Sequence, residues 1–204
     1  VYACEQDEIP VLQITSSMDI GEHPGCNRGN LYILSNADSV RMYKNDRFIK
    51  EYRPEMSPYK HLKHGPILID DFIGDTLEKN ERFRPKHAKE MADAMNIVAR
   101  GSLNHIPKRL YPTALKLVLL YHIDFAEVTK LYTKYIGDWG GTATVYRFDA
   151  IKDGKVIKSV TKEPVNGIRL QAEADHTNLT EHHSYDVALV RIRAVDDHGN
   201  VLPF

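Results

Sequence analysis

The chain lacks several features that identify specialised proteins. No apolar run approaches the roughly 18 to 20 residues that a membrane-spanning helix needs. No charged segment followed by an apolar one opens the chain, so the sequence shows no signal peptide. Lysine and arginine (27) nearly balance aspartate and glutamate (28), so no strong field attracts phosphate backbones or anionic lipid. We therefore expect neither a nucleic acid nor a membrane as a partner.

Cysteine is also scarce. Cys4 and Cys26 are the only two in 204 residues, and their spacing matches no zinc or redox motif, so we predict two free thiols. The compartment stays open between the cytoplasm, which is favoured, and a secreted or surface location. The glycines form no phosphate-binding loop and no local signature of a catalytic triad is present. We expect no cofactor.

The composition, 42% apolar and 27% charged, is that of an ordinary globular protein with room for one sizeable domain or two small ones. Residues 1–53 predict strands, because apolar and polar residues alternate in "NLYILSN" and "SVRMY". Asn45 and Asp46 tolerate the left-handed backbone of a tight turn. They predict a β-hairpin over 40–52.

Residues 54–137 predict helices, because their apolar residues recur at spacings of three and four. Pro85 suits the first turn of a helix and Gly101 its end, while Asp124 has the position of a capping residue. We expect about four helices, within residues 66–83, 84–102, 111–122 and 124–137.

Strand alternation returns at 138–163, in two strands hinged on Asp153 and Gly154. Strands on both sides of the helical block favour one β-domain, formed by 1–53 and 138–163, with 54–137 inserted at a loop. The alternative is three consecutive small domains.

The last forty residues predict the start of a second β-domain. Ile168, Leu170 and Ala172 alternate, Val187, Leu189, Ile192 and Val195 follow, and residues 197–200 predict a turn. Half a sandwich exposes an apolar face and a long edge, which complete proteins avoid. We therefore expect 164–204 to be the truncated opening of a second sandwich, with about three strands, and the chain to be a piece of a longer protein.

Four stretches carry a family resemblance: "QDEIPVLQITSSMDIGEHPG", "LYILSNADSVRMYKNDRFI", "KDGKVIKSV" and "GIRLQAEADHTNLTEHHSYDVALVRIRAVDDHGNVLP". Together they resemble the region after the catalytic barrel in glycoside hydrolase family 2, the β-galactosidase type. Asp46 stands where the family usually has a turn glycine, and residues 54–137 have no counterpart in the family pattern. The matching positions are Ser35, Asn36, Val40, Met42, Asn45, Asp186, Val187, Ala188, Val190, Asp196, Gly199, Asn200 and Pro203.

The resemblance implies an immunoglobulin-like β-sandwich interrupted by an inserted helical bundle, followed by the first strands of a second such domain. It implies a non-catalytic accessory region of a hydrolase that cleaves O-glycosidic bonds, with β-galactosides the leading substrate. Both catalytic glutamates of the family lie on the barrel, so no catalytic residue is expected here. The implied partners are the barrel of the same parent chain, a second copy and carbohydrate.

Trp139 is the candidate carbohydrate-binding residue, because this only tryptophan lies in a predicted loop where its ring can stack on a sugar. The alternative is that Trp139 packs the helical block onto the sandwich. Two rival functions follow from these features. The sandwich can be a carbohydrate-binding or adhesion module, and the helical block can be a protein-interaction module.

Histidine and paired aspartate raise two further site hypotheses. His61 and His64 are three residues apart and His182 and His183 are adjacent, but no further ligand completes a metal site, so we predict solvated histidines and no metal. Asp70 and Asp71 are predicted to favour the start of a helix rather than to form a catalytic pair.

Overall fold

The computed structural model describes residues 1–18, 28–81, 83–101, 108–112, 115, 124–137 and 143–202. The predicted mixed α and β class is confirmed, with antiparallel sheets and helices. The strands are β1 (Leu12–Ile14), β2 (Tyr32–Ser35), β3 (Ser39–Lys44), β4 (Arg47–Tyr52), β5 (Ile67–Leu68), β6 (Tyr146–Lys152), β7 (Lys155–Lys162), β8 (Arg169–Ala174) and β9 (Val190–Val195). The α-helices are α1 (Thr76–Glu81), α2 (Pro85–Arg100) and α3 (Phe125–Tyr132), and a π-helical turn, Thr133–Gly137, follows α3.

The chain divides into two compact units, Val1–Pro164 and Val165–Phe204. The first unit contains a three-stranded sheet in the order β1-β2-β5 and a four-stranded sheet in the order β4-β3-β6-β7. All neighbouring strands are antiparallel. Because β3 pairs with β6, strands that precede the helices and strands that follow them belong to one sheet.

Both predicted hairpins are present in the four-stranded sheet. Asn45 and Asp46 have φ of 49° and 60°, and Asp153 and Gly154 have φ of 51° and 73°. Two successive left-handed residues twist a two-residue turn in the direction that the flanking strands require. The Asn45 side chain adds a contact beyond its own hairpin, since its Oδ1 accepts the Val145 N–H at 2.8 Å, just before β6 begins.

Asn45→Ala is expected to lower the free energy of unfolding by about 1 to 2 kcal/mol, because alanine tolerates positive φ poorly and the Val145 N–H loses its acceptor. Asn45→Gly removes the same hydrogen bond but accepts the backbone geometry. Asn45→Gly should therefore lower the free energy of unfolding, measured by urea denaturation, by less than Asn45→Ala does. Equal losses for the two variants would contradict the argument from φ.

One hydrophobic cluster joins both sheets of the first unit to the helices. On α2, apolar residues spaced by three and four turn towards this core, while Pro85 occupies the first turn and Gly101 ends the helix, as predicted. Asp124 caps α3, since its Oδ1 accepts the Glu127 N–H at 2.7 Å. The core-facing residues of α2 are Ala88, Met91, Ala92, Met95 and Ala99.

The structure corrects the predicted helix at 66–83. Ile67 and Leu68 form β5 and pair with β2, and the helix begins only at Thr76. Asp71 holds the intervening loop, because its Oδ1 accepts the backbone N–H groups of Ile73 and Gly74, each at 2.9 Å. The predicted helix at 111–122 lies largely outside the described residues, and the three of its residues that are described, Tyr111, Pro112 and Leu115, are helical.

Glu81 ties the end of α1 to the π-helical turn. Its Oε1 accepts hydrogen bonds from Lys134 Nζ and Tyr135 Oη, both at 2.6 Å. The bond from Lys134, reinforced by the one from Tyr135, holds the pKa of the Glu81 carboxyl below its ordinary value. A carboxylate with a lowered pKa stabilises the fold at neutral pH, and this contribution is lost as the pH falls through that pKa.

Glu81→Gln is therefore expected to reduce the free energy of unfolding more at pH 7 than at pH 3, because the contribution of the Glu81 carboxylate diminishes as the pH falls below the ordinary pKa of a glutamate. Glu78→Gln, an exposed change on the same helix, is the matched control and should have a small effect at both pH values. Urea denaturation at the two pH values measures the difference. An equal effect of Glu81→Gln at both would show that its charge contributes nothing.

The second unit is a two-stranded sheet. β8 and β9 are antiparallel, and Val195 forms an isolated bridge with Val201 after a turn in which Gly199 has φ of 78°. Three strands were predicted, whereas two strands and this bridge are found in the part of the second unit that is described. Val187 and Leu189 precede β9 rather than belonging to it.

Candidate functional site

The predicted sugar-binding residue, Trp139, lies outside the described residues, as does Cys26. Cys4 is a buried free thiol, and burial raises its pKa. A thiol with a raised pKa is largely protonated at neutral pH and is a poor nucleophile. Cys4 is therefore a core residue in the described region.

The histidines predicted to be solvated differ in their exposure to solvent. His182 and His183 are exposed, but His64 is buried, so the prediction is wrong for His64. Its ring nitrogens have no hydrogen-bond partner within the described part of the chain, and its Nε2 lies 4.0 Å from Asp7 Oδ1. Among the residues described, no group of three or more histidine, cysteine, aspartate or glutamate side chains could hold a metal ion.

The carboxylates of Asp70 and Asp71 bind different partners and do not form a pair. Asp70 pairs with Lys50 Nζ at 2.7 Å, whereas Asp71 accepts a hydrogen bond from Asn96 Nδ2 at 2.8 Å in addition to its two loop N–H groups. Both residues precede the first turn of α1, so the predicted interaction with a helix start is wrong. Their contacts fix a loop.

Asn36, one of the residues that match the family pattern, is buried at 2% exposure. Its Oδ1 accepts the Val11 N–H at 2.8 Å. Its Nδ2 donates to the carbonyl oxygens of Gln6 and Ile9, at 2.7 and 2.9 Å. These bonds bind the N-terminal segment to the end of β2, so the amide of Asn36 is used within the fold.

Asp196, near the other end of the chain, has a comparable role. Its Oδ1 accepts the N–H groups of His198 and Asn200, and its Oδ2 accepts Asn200 Nδ2 at 2.7 Å. Burial by itself raises the pKa of the Asp196 carboxyl, but the hydrogen bonds outweigh burial and leave the pKa below its ordinary value. The carboxylate closes the turn after β9.

The outward face of the four-stranded sheet carries two neighbouring rows of side chains. Strand pairing sets opposite residues on the same face, and the other face holds the fully buried Met42 and Phe148. The aromatic row is Phe48, Tyr43, Arg147 and Thr161. The charged row is Glu51, Arg41, Asp149 and Ser159, in which Asp149 is buried while Arg41 and Ser159 are exposed.

Ring contacts and ion pairs position three residues of the aromatic row, Phe48, Tyr43 and Arg147. The rings of Tyr43 and Phe48 meet edge to face with centroids 5.8 Å apart, and the Arg147 guanidinium stacks over Tyr43 at 4.5 Å. Arg147 is fixed in turn by Asp46 Oδ1 at 2.7 Å and by Asp149 Oδ2 at 3.3 Å. Phe48 remains 48% exposed. A large apolar ring is thus open to solvent beside fixed charges.

The charged row contains a close ion pair, Arg41 Nε to Glu51 Oε2 at 2.9 Å, and Glu51 also accepts from Arg53 at 2.6 Å. The bond from Arg41 lowers the pKa of Glu51, and the same bond raises the pKa of Arg41. Both side chains therefore stay charged through the neutral pH range.

A second surface lies on the unit formed by β8 and β9. Residues that pair across β8 and β9 lie on the same face of the sheet. One face carries only apolar residues, and the other carries polar residues such as Glu173 and Arg193. Leu170 is 78% exposed and Ile192 is 66% exposed, so this apolar face is uncovered. Its residues are Leu170, Ala172, Ala174, Val190, Ile192 and Ala194.

No protein-family model matches the chain, and no curated protein sequence shows significant similarity to it. Of the helices that are described, none is long and apolar enough to cross a membrane.

Proposed function

We propose that the chain is a non-catalytic accessory region of a glycoside hydrolase similar to family 2, whose parent protein hydrolyses β-linked sugars, with galactosides as the leading substrate. Its role is to support the catalytic barrel of the same protein. The first unit is proposed to be an immunoglobulin-like sandwich with a helical insertion, and the second unit the start of another such domain.

The observation that carries this proposal is how the fold uses the polar residues that match the family pattern. Asn36 and Asp196 are buried and bonded to the chain itself, and Asn45 bonds the strand region before β6. Side chains committed in this way are unavailable to a substrate. The pattern therefore supports an architectural role.

Two further features support the domain assignment. In the first unit, both antiparallel sheets contribute to one core, as the layers of a sandwich do. In the second unit, the exposed apolar face of β8 and β9 is of the kind that a β-domain buries against a second sheet. We propose that further strands of the same protein cover that face.

The proposal predicts that the purified chain does not hydrolyse a chromogenic β-galactoside. A β-galactosidase assayed in the same buffer is the positive control. Hydrolysis that exceeds the buffer blank and copurifies with the chain would overturn the non-catalytic role.

A further inference from the structure

We propose that the outward face of the four-stranded sheet binds a neutral oligosaccharide, which stacks on Phe48 and hydrogen-bonds to Arg41 and Arg147. This binding site goes beyond the accessory role proposed above and does not depend on it. The aromatic row and the charged row, as defined by strand pairing, form the proposed site.

Phe48 provides the stacking surface. The carbon-bound hydrogens on one side of a pyranose ring form an apolar patch with a slight positive charge, which suits the negative face of an aromatic ring. The edge contact with Tyr43 and the position of Phe48 on a paired strand hold the ring in place. Little conformational entropy is therefore lost when a sugar stacks on it.

The charges of the face favour a neutral, hydroxyl-rich ligand. Arg41, Arg53 and Arg147 are matched by three carboxylates, so the face has no net charge to attract a polyanion such as nucleic acid or a sulfated glycan. A sugar hydroxyl group can accept a hydrogen bond from a guanidinium and donate one to a carboxylate. It can therefore bind to an arginine–carboxylate pair without separating the two charges. The matching carboxylates are those of Asp46, Glu51 and Asp149. Asp149 is buried, so Asp46 and Glu51 are the two that a ligand can reach.

The size of the site favours a sugar over a protein. Four adjacent strands span about 14 Å, and the two rows are about 7 Å apart along the strands. A stable protein interface buries about 800 Å² on each partner around an apolar centre, which is far more than these two rows offer. A short oligosaccharide lying along the rows contacts the ring and the arginines together.

The test is isothermal titration calorimetry of the whole chain with β-1,4-galactotriose, cellotriose and xylotriose, and with a sulfated trisaccharide as the charged comparison. At least one neutral trisaccharide is expected to bind, and the sulfated one is expected to bind more weakly. Phe48→Ala should raise the Kd at least about tenfold, and Arg41→Ala should raise it by a smaller factor. Circular dichroism and a thermal melt establish that each variant is folded.

Val156→Ala is the matched control, because Val156 is a 58% exposed apolar residue on β7 that belongs to neither row. It should leave the Kd unchanged. The proposal is overturned if no neutral trisaccharide binds, if Phe48→Ala binds as tightly as wild type, or if the sulfated trisaccharide binds best. These outcomes are separate from the hydrolysis assay, so either proposal can fail alone.

Discussion

Phe148→Ala is expected to lower the free energy of unfolding by about 3 to 5 kcal/mol, the usual cost of removing a buried phenylalanine ring. Phe148 is fully buried on β6, between β3 and β7 in the four-stranded sheet. Alanine removes most of its contacts and leaves a cavity that paired strands on both sides cannot close. Urea denaturation followed by circular dichroism measures the loss.

Phe48→Ala is the matched control, since it makes the same chemical change on the outward face of the same sheet. Phe48 is 48% exposed, so its loss should cost about 1 kcal/mol or less. A similar loss for both variants would contradict the assignment of a buried and an exposed face.

Asn36→Ala is expected to lower the free energy of unfolding by about 2 to 4 kcal/mol, because the Val11 N–H and two backbone carbonyl groups lose their partner. The segment before Val11 is partly exposed, so water can replace some of the lost hydrogen bonds. The loss should therefore be smaller than the cost of leaving all three backbone groups buried without a partner. The segment should also detach more readily, so limited proteolysis should cleave it faster than in wild type.

Two variants control the Asn36 experiment. Asn30→Ala changes an exposed asparagine and should alter stability by less than about 0.5 kcal/mol. Asn36→Asp keeps an acceptor for Val11 but sets a carboxylate against two carbonyl oxygens, so it should be at least as unstable as Asn36→Ala. Wild-type stability and cleavage in Asn36→Ala would remove the structural role assigned to this residue.

The parts of the fold that local chemistry determines were predictable from the sequence. Asn45 with Asp46, and Asp153 with Gly154, identify their turns because few residues accept positive φ. The cap at Asp124 and the first turn at Pro85 depend on neighbours within a few positions. Each of these predictions is confirmed.

The parts that depend on distant pairing could not be predicted in this way. β5 has only two residues, too few to show a period, and its apolar residues fit helical spacing equally well. Its pairing with β2 decides its conformation. The burial of His64 similarly depends on how its loop packs rather than on its sequence neighbours.

The candidate site was predictable only in part. Alternation along β3 places Arg41 and Tyr43 on the face opposite Met42. The sequence does not reveal that Tyr43 pairs with Arg147, about a hundred residues later, or that a shift in strand register after Met42 brings Phe48 opposite Tyr43. The signal in the sequence is an aromatic residue at an outward position beside a hairpin turn, whereas Trp139 is the residue predicted to bind a sugar.

The central claim, an accessory region of a glycoside hydrolase, is tested most directly by determining the complete coding sequence of the native protein that contains this chain. We predict that the same reading frame encodes, before Val1, a catalytic barrel with the two glutamates that glycoside hydrolysis of the retaining type requires. A complete coding sequence without such a barrel would contradict the claim.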